Sequence, residues 1–126
     1  MNRFMIVDDN EPDQFLSKYI VEQFAPTAEI LQAYDGLEAL EILDTLDQQP
    51  DIILLDINMP RMNGHEFLEE YDQRENNGSV VVMLTSSALG VDKDRALSFG
   101  CVKKYLTKPL NEEALSSLSD LLTPTP

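Results

Sequence analysis

Four branched apolar residues in a row, Ile52-Ile53-Leu54-Leu55, run straight into Asp56. A short apolar run with no polar alternation, closed by turn residues, is the pattern of a strand covered on both faces. Parallel sheets sandwiched between helices are built from such strands. Ser79 to Thr85, "SVVVMLT", repeats the pattern and predicts a second buried strand. Both runs finish on a polar residue at the carboxyl end, the edge at which open α/β sheets bind ligands.

The rest of the chain alternates around these two runs. Arg3 to Val7 reads as the first strand, and Phe15, Leu16, Tyr19, Ile20 and Phe24 then share one helical face, with Pro12 suited to a first turn. Glu29 to Ala33 is a short strand, and Leu37, Leu40, Leu43 and Leu46 recur at helical spacing until Gln49-Pro50. His65 to Arg74 predicts a short helix after the Asn63-Gly64 loop. Val91 to Phe99 predicts another that stops at Gly100, a natural residue for a left-handed helix end. Cys101 to Leu106 is the fifth strand. Ala114, Leu115, Leu118, Leu121 and Leu122 line a closing helix capped by Asn111, with Glu112 and Glu113 near its positive end. Five β-α units in succession predict an α/β fold: a doubly wound, five-stranded parallel sheet with helices on both faces. The domain is expected over residues 1–122, with a short tail at 123–126 and no output domain.

Composition narrows the function classes. The 126 residues suffice for one domain with one core. Nine Lys and Arg against 23 Asp and Glu give a net charge of −14, which repels nucleic-acid phosphates and anionic lipid. No apolar run approaches the length of a membrane span, and the start "MNRFMIVDDN" lacks a secretory apolar region. A cytoplasmic location with neither nucleic acid nor membrane as partner is the expectation. The single cysteine, Cys101, forms no internal disulfide and is expected to be a small buried apolar residue. His65, the only histidine, is expected to be exposed in a first helical turn rather than to ligate a metal.

The polar residues at the predicted strand ends carry the chemistry. They are Asp8 and Asp9 after the first strand, Asp56 after the third, Thr85 after the fourth and Lys108 after the fifth. Singly, each has an ordinary explanation as a cap or a solvated side chain. Together they would crowd carboxylates on one rim, where two charges about 4 Å apart cost about 4 kcal/mol at an effective dielectric of about 20. A hard divalent cation such as Mg²⁺ offsets such repulsion, and Lys108 adds a second positive charge. Those groups suit phosphoryl transfer, which depends on positioning and charge neutralisation.

With "VDD" at 7–9, "LLDINMPRMNG" at 54–64, "LTSS" at 84–87 and "YLTKP" at 105–109, the chain resembles the receiver domain of two-component response regulators, in particular the stand-alone, chemotaxis-type members. The resemblance implies a (βα)5 flavodoxin-like fold. It implies that Asp56 is the phosphoacceptor for a sensor histidine kinase or a histidine phosphotransfer protein. It also implies that Asp8, Asp9, Asp56 and the backbone carbonyl of Asn58 hold Mg²⁺. Thr85 and Lys108 would bind phosphoryl oxygens, and Thr85 and Tyr105 would form the switch. Lys108-Pro109 would be cis, and Asn58 and Ser87 would influence the lifetime of the acyl phosphate. A helical surface beside the acidic pocket, Pro12 to Ser17, would help dock the donor. The face from the fourth to the fifth helix gathers five of the nine basic residues, Lys93, Arg95, Lys103, Lys104 and Lys108, and that charge suits an acidic partner or a second copy if it is more than a solvated surface. Two competing readings are a phosphate-independent module of the same fold and an aspartyl-nucleophile phosphatase. The latter usually has a second aspartate where Asn58 stands. A nucleotide or flavin site would need a glycine-rich first turn, and "DDNEPDQ" has no glycine.

Overall fold

The computed structural model describes residues 3–75 and 77–122; the expected tail at 123–126 lies outside the described residues. Five strands, β1 (Arg3–Val7), β2 (Glu29–Ala33), β3 (Ile52–Leu55), β4 (Val80–Thr85) and β5 (Val102–Thr107), form one parallel sheet in the order β2-β1-β3-β4-β5. Helices α1 (Glu11–Phe24), α2 (Gly36–Thr45), α3 (Gly64–Asp72), α4 (Gly90–Leu97) and α5 (Glu112–Leu122) follow the strands in turn. The strand order reverses direction between β1 and β3, so the carboxyl ends of these two strands flank a crevice where a ligand can sit.

Strand parity divides the core. Met5, Val7, Ile53, Leu55, Val81 and Met83 point to one face and pack with Leu43, Phe67, Leu68, Tyr71 and Ala96 from α2, α3 and α4. Phe4, Ile6, Ile52, Leu54, Val82 and Leu84 point to the other and pack with Val21, Leu115 and Leu118 from α1 and α5. This is why β3 is apolar at every position: neither of its faces meets water. Caps start the helices. Asn10, Asp35, Asn63 and Asn111 accept from the backbone N–H of Asp13, Glu38, Glu66 and Ala114 respectively.

Several expectations change. The expected face of α1 holds only in part: Ile20 and Phe24 pack against the core, but the buried residues are Gln14, Ser17 and Val21. Phe15 is 73% exposed and Tyr19 50%, while Ile20 and Phe24 are only partly covered. Gln14 turns inward with its amide 3.1, 3.0 and 2.8 Å from the carbonyls of Ile6, Asp8 and Ala33 at the ends of β1 and β2, adding to the bond that the Ala33 carbonyl also accepts from the Asp8 N–H. In α2, Gly36, Ala39 and Leu43 face inward while Leu37 is exposed, since a Cβ at Gly36 would lie 2.8 Å from Met62 Cγ. Helix α4 ends at Leu97, and no described glycine, Gly100 included, takes a left-handed conformation. Cys101 precedes β5 and is half-buried, with its thiol pushed up by that burial. The expected contribution of Leu121 and Leu122 lies outside the described side chains.

Candidate functional site

Each strand-end residue is held by continuation of the sheet ladder. The N–H of Asp8 donates to Ala33 (3.0 Å), that of Asp56 to Val7 (2.9 Å) and that of Lys108 to Thr85 (2.9 Å). The result brings oxygens of Asp8, Asp9 and Asp56 within 4.8 Å of one another. Asp8 and Asp56 are buried, at 2% and 6% exposure, and Asp9 opens to solvent. Lys108 Nζ reaches Asp8 Oδ2 at 2.7 Å and Asp56 Oδ2 at 3.0 Å. It also reaches Asp13 Oδ2 at 2.7 Å, a partner that strand-end reasoning missed. The available signal was the α1 cap at Asn10, which puts residue 13 in a first turn beside the end of β1.

The charges are unequally served. Burial pushes the Asp8 carboxyl up from its usual range, against the pull of Lys108 and the Asn10 N–H. Burial also works against the Lys108 ammonium, but the hydrogen bonds it donates to Asp13, Asp8 and Asp56 outweigh it and push its pKa up. The contact favours the charged form of both partners, but burial outweighs it at Asp8 and not at Lys108. The geometry explains both, because one amine has three acidic partners and each acid shares that one amine. The oxygen-only donor set of Asp8, Asp9 and Asp56, short of positive charge, fits a hard divalent cation.

The loop after β3 folds back over Asp56. Asp56 Oδ1 accepts from the N–H of Ile57 at 2.7 Å, leaving Oδ2 toward Lys108. Gly64 donates to the Ile57 carbonyl at 2.8 Å, and a Cβ there would lie 2.3 Å from the Asp56 carbonyl oxygen, so only glycine fits. Arg61 turns the loop at φ 62° and its Nε bonds Asp35 Oδ2 at 2.7 Å, tying the loop to the start of α2. Asn58 is exposed two residues beyond Asp56. Thr85 is fully buried, and its Oγ1 accepts from the N–H of Ser87 at 3.2 Å. The ring of Tyr105 packs against the core while its hydroxyl donates to the Ser87 carbonyl at 2.8 Å. Lys108-Pro109 is cis. His65 corrects its expectation: it is buried, 4% exposed, with Nε2 3.1 Å from Asp92 Oδ1. A polar residue one step past a glycine gave no sign of burial, which comes from the packing of α3 against α4.

The family model of the response regulator receiver domain matches residues 4–119. This chain belongs to that family. The receiver is 33% identical to the polar-differentiation response regulator DivK of Brucella ovis over 85% of this chain and 84% of that protein. It is 34% identical to the transcriptional regulatory protein CpxR of Escherichia coli K12 over 91% of this chain, and 33% identical to the sensor histidine kinase CheAY of Helicobacter pylori over 90%. The chain spans 46% of CpxR and 14% of CheAY. Among solved structures, a two-component response regulator from Cytophaga hutchinsonii matches with a TM-score of 0.85 and 30% identity, over 97% of this chain and 96% of that one. The chemotaxis response regulator CheY4 of Vibrio cholerae matches at 0.80 and 26%, over 98% and 99%. Membership supports a phosphoacceptor signalling role. No helix among the described residues is long and apolar enough to cross a membrane.

Proposed function

We propose that the receiver accepts a phosphoryl group on Asp56 from a phosphohistidine, in a Mg²⁺-dependent reaction, and that the acyl phosphate switches its contacts with other proteins. The observation that carries this reading is the meeting of Asp8, Asp9 and Asp56 oxygens, two of which, those of Asp8 and Asp56, also reach Lys108. Asp56 Oδ2, the oxygen not engaged by the Ile57 N–H, attacks phosphorus. The P–N bond to the donor imidazole breaks, and the imidazole keeps the electron pair. Lys108 is placed to receive a phosphoryl oxygen, and Thr85, in the adjacent strand, to donate its hydroxyl hydrogen to another. Asp8, Asp9, Asp56 and the Asn58 carbonyl would hold Mg²⁺, which supplies charge neutralisation for the incoming phosphoryl group.

Thr85 and Tyr105 form the switch in this reading, since Ser87 touches both. The exposed Phe15, Leu16 and Tyr19 on α1 lie beside Asp13 and suit docking of a histidine kinase or histidine phosphotransfer protein, the donor class that the family implies. Leu89, Val91 and Leu97 with Lys93 and Arg95 on and before α4 suit a downstream protein or a second copy. The reading makes the protein a cytoplasmic, stoichiometric phosphoacceptor rather than a turnover enzyme. Incubation with acetyl phosphate and Mg²⁺, followed by intact-mass measurement, tests it. One phosphoryl adduct is expected, absent in Asp56→Asn and without Mg²⁺. Steady turnover of phosphoesters would instead mark a phosphatase, and no adduct at all a phosphate-independent module.

A further inference from the structure

A chain of hydrogen bonds joins α3 to both switch residues without touching the acidic pocket. It starts at buried His65, next to the Gly64 that packs on the Asp56 carbonyl. His65 Nε2 lies 3.1 Å from Asp92 Oδ1 in the first turn of α4. The other oxygen of Asp92 accepts from Ser87 Oγ at 2.7 Å. Ser87 then meets the switch twice, through its N–H to Thr85 Oγ1 (3.2 Å) and its carbonyl to the Tyr105 hydroxyl (2.8 Å).

Two features show that this chain does more than fill space. Since a carboxylate only accepts, His65 Nε2 carries a proton, while Nδ1 is buried with no hydrogen-bond partner among the described residues. An aliphatic residue would occupy the slot without stranding a polar atom, so what the imidazole adds is its bond to Asp92. The N-cap of α4, Leu89, makes no side-chain cap, and Asp92 in the first turn ties that end of the helix to Ser87 and His65. The hydrogen bonds from Ser87 and His65 hold the Asp92 carboxyl below its usual range, in keeping with a firmly bonded carboxylate.

We infer that His65 is a positioning residue of the switch: through Asp92 it fixes Ser87, and so sets the carbonyl that catches Tyr105 and the N–H that aligns Thr85. Thr85 Oγ1 accepts in this arrangement, which leaves its own hydrogen free to donate to a phosphoryl oxygen. The held arrangement is thus the one competent to read Asp56. Coupling is reciprocal: what stabilises this arrangement also tightens binding of a phosphoryl group or its analogue. The inference rests on the reading of Asp56 as phosphoacceptor and assigns part of its switching to α3.

The test incorporates 3-fluorotyrosine into the full chain and follows Tyr105 by ¹⁹F NMR, with Tyr105→Phe assigning the signal. Affinity for beryllofluoride with Mg²⁺ is measured in parallel. His65→Leu and Asp92→Ala are each expected to move the Tyr105 resonance toward that of an exposed tyrosine and to weaken beryllofluoride binding about three- to tenfold. The double variant should go no further, and His65→Gln, which can still donate to Asp92, should restore most of both signals. Unchanged resonance and affinity in variants whose unfolding midpoint alone falls would overturn the inference and leave His65 a packing residue. Should His65→Leu fail to fold, Asp92→Ala and Ser87→Ala, at more exposed positions, give the same two readouts. If wild type binds no beryllofluoride, the reading of Asp56 fails, while the Tyr105 resonance of the free protein still decides the role of His65.

Discussion

The two ends of β1 treat charge in opposite ways. At the amino end, Arg3 pairs with Glu29 at 3.0 Å and its N–H donates to Asp51 at 3.0 Å, in a half-open setting where two acids face one base. At the carboxyl end, Asp8, Asp13 and Asp56 share Lys108 while Asp9 stands beside them without that contact, and two of the four acids are buried. The first arrangement closes on itself. The second holds a larger excess of negative charge, part of it buried, which an added cation would offset and which sets it apart from a surface ion pair.

That contrast is open to attack, and the largest effect should come from the loop over Asp56. Gly64→Ala drives a Cβ into a backbone carbonyl and is expected to cost about 3 kcal/mol in urea unfolding. Gly100→Ala, beside the amino end of β5 with nothing near the added atom, should stay within about 0.5 kcal/mol. Next, Lys108→Met strands Asp8 and Asp56, and should lower metal-free stability at neutral pH by about 2–3 kcal/mol. Arg3→Met should lose under about 1 kcal/mol. Equal losses at the two ends would remove the distinction.

Mg²⁺ sharpens it further. At ten times its dissociation constant, the ion should raise unfolding free energy by about 1.4 kcal/mol, an increment that Asp9→Asn reduces and Glu29→Gln leaves alone. The increment should grow from about pH 4.5 to 7, because the carboxyls must shed protons to bind and that of Asp8 is pushed up.

The smallest expected effect is in acid. Arg61 and the Glu38 N–H outweigh burial at Asp35 and push its carboxyl down, and Ser87 and His65 push down Asp92. A lowered carboxyl contributes stability above its unfolded value, about pH 4, and loses it as pH falls through the folded value. Asp8 has the opposite sign: its ionisation opposes folding, so its contribution worsens as pH rises from about 4 through its raised value. Urea midpoints of metal-free protein between about pH 2 and 7 should therefore show a shallower acid loss in Asp35→Asn and a gain near neutrality in Asp8→Asn. Matching pH curves for both variants would contradict these opposite signs.

Much of this was legible before the fold. The unbroken apolar run at 52–55 is β3 to the residue, because burial on both faces leaves no polar alternation to blur its ends. The acids and the lysine of the rim were legible because a parallel sheet sends every strand end to the same edge. Helix rotation was not. Phe15 and Tyr19 are as apolar as a core face requires, yet Gln14 faces inward, its amide within hydrogen-bond distance of three carbonyls. Asp13, reaching Lys108 across 95 positions of sequence, and the His65–Asp92 contact were hidden for the same reason: each depends on how a helix is turned and what it lies against.

The sequence by itself determined the order of elements, the parallel sheet and the acidic rim, since apolar periodicity and strand direction are local properties that survive any detail of packing. Only the tertiary structure decided which helix faces are buried, which acids the one lysine serves, and that a buried histidine meets Asp92 of α4. Those outcomes depend on distances between elements far apart in the chain, where satisfying buried polar groups outweighs the pull of any single apolar side chain.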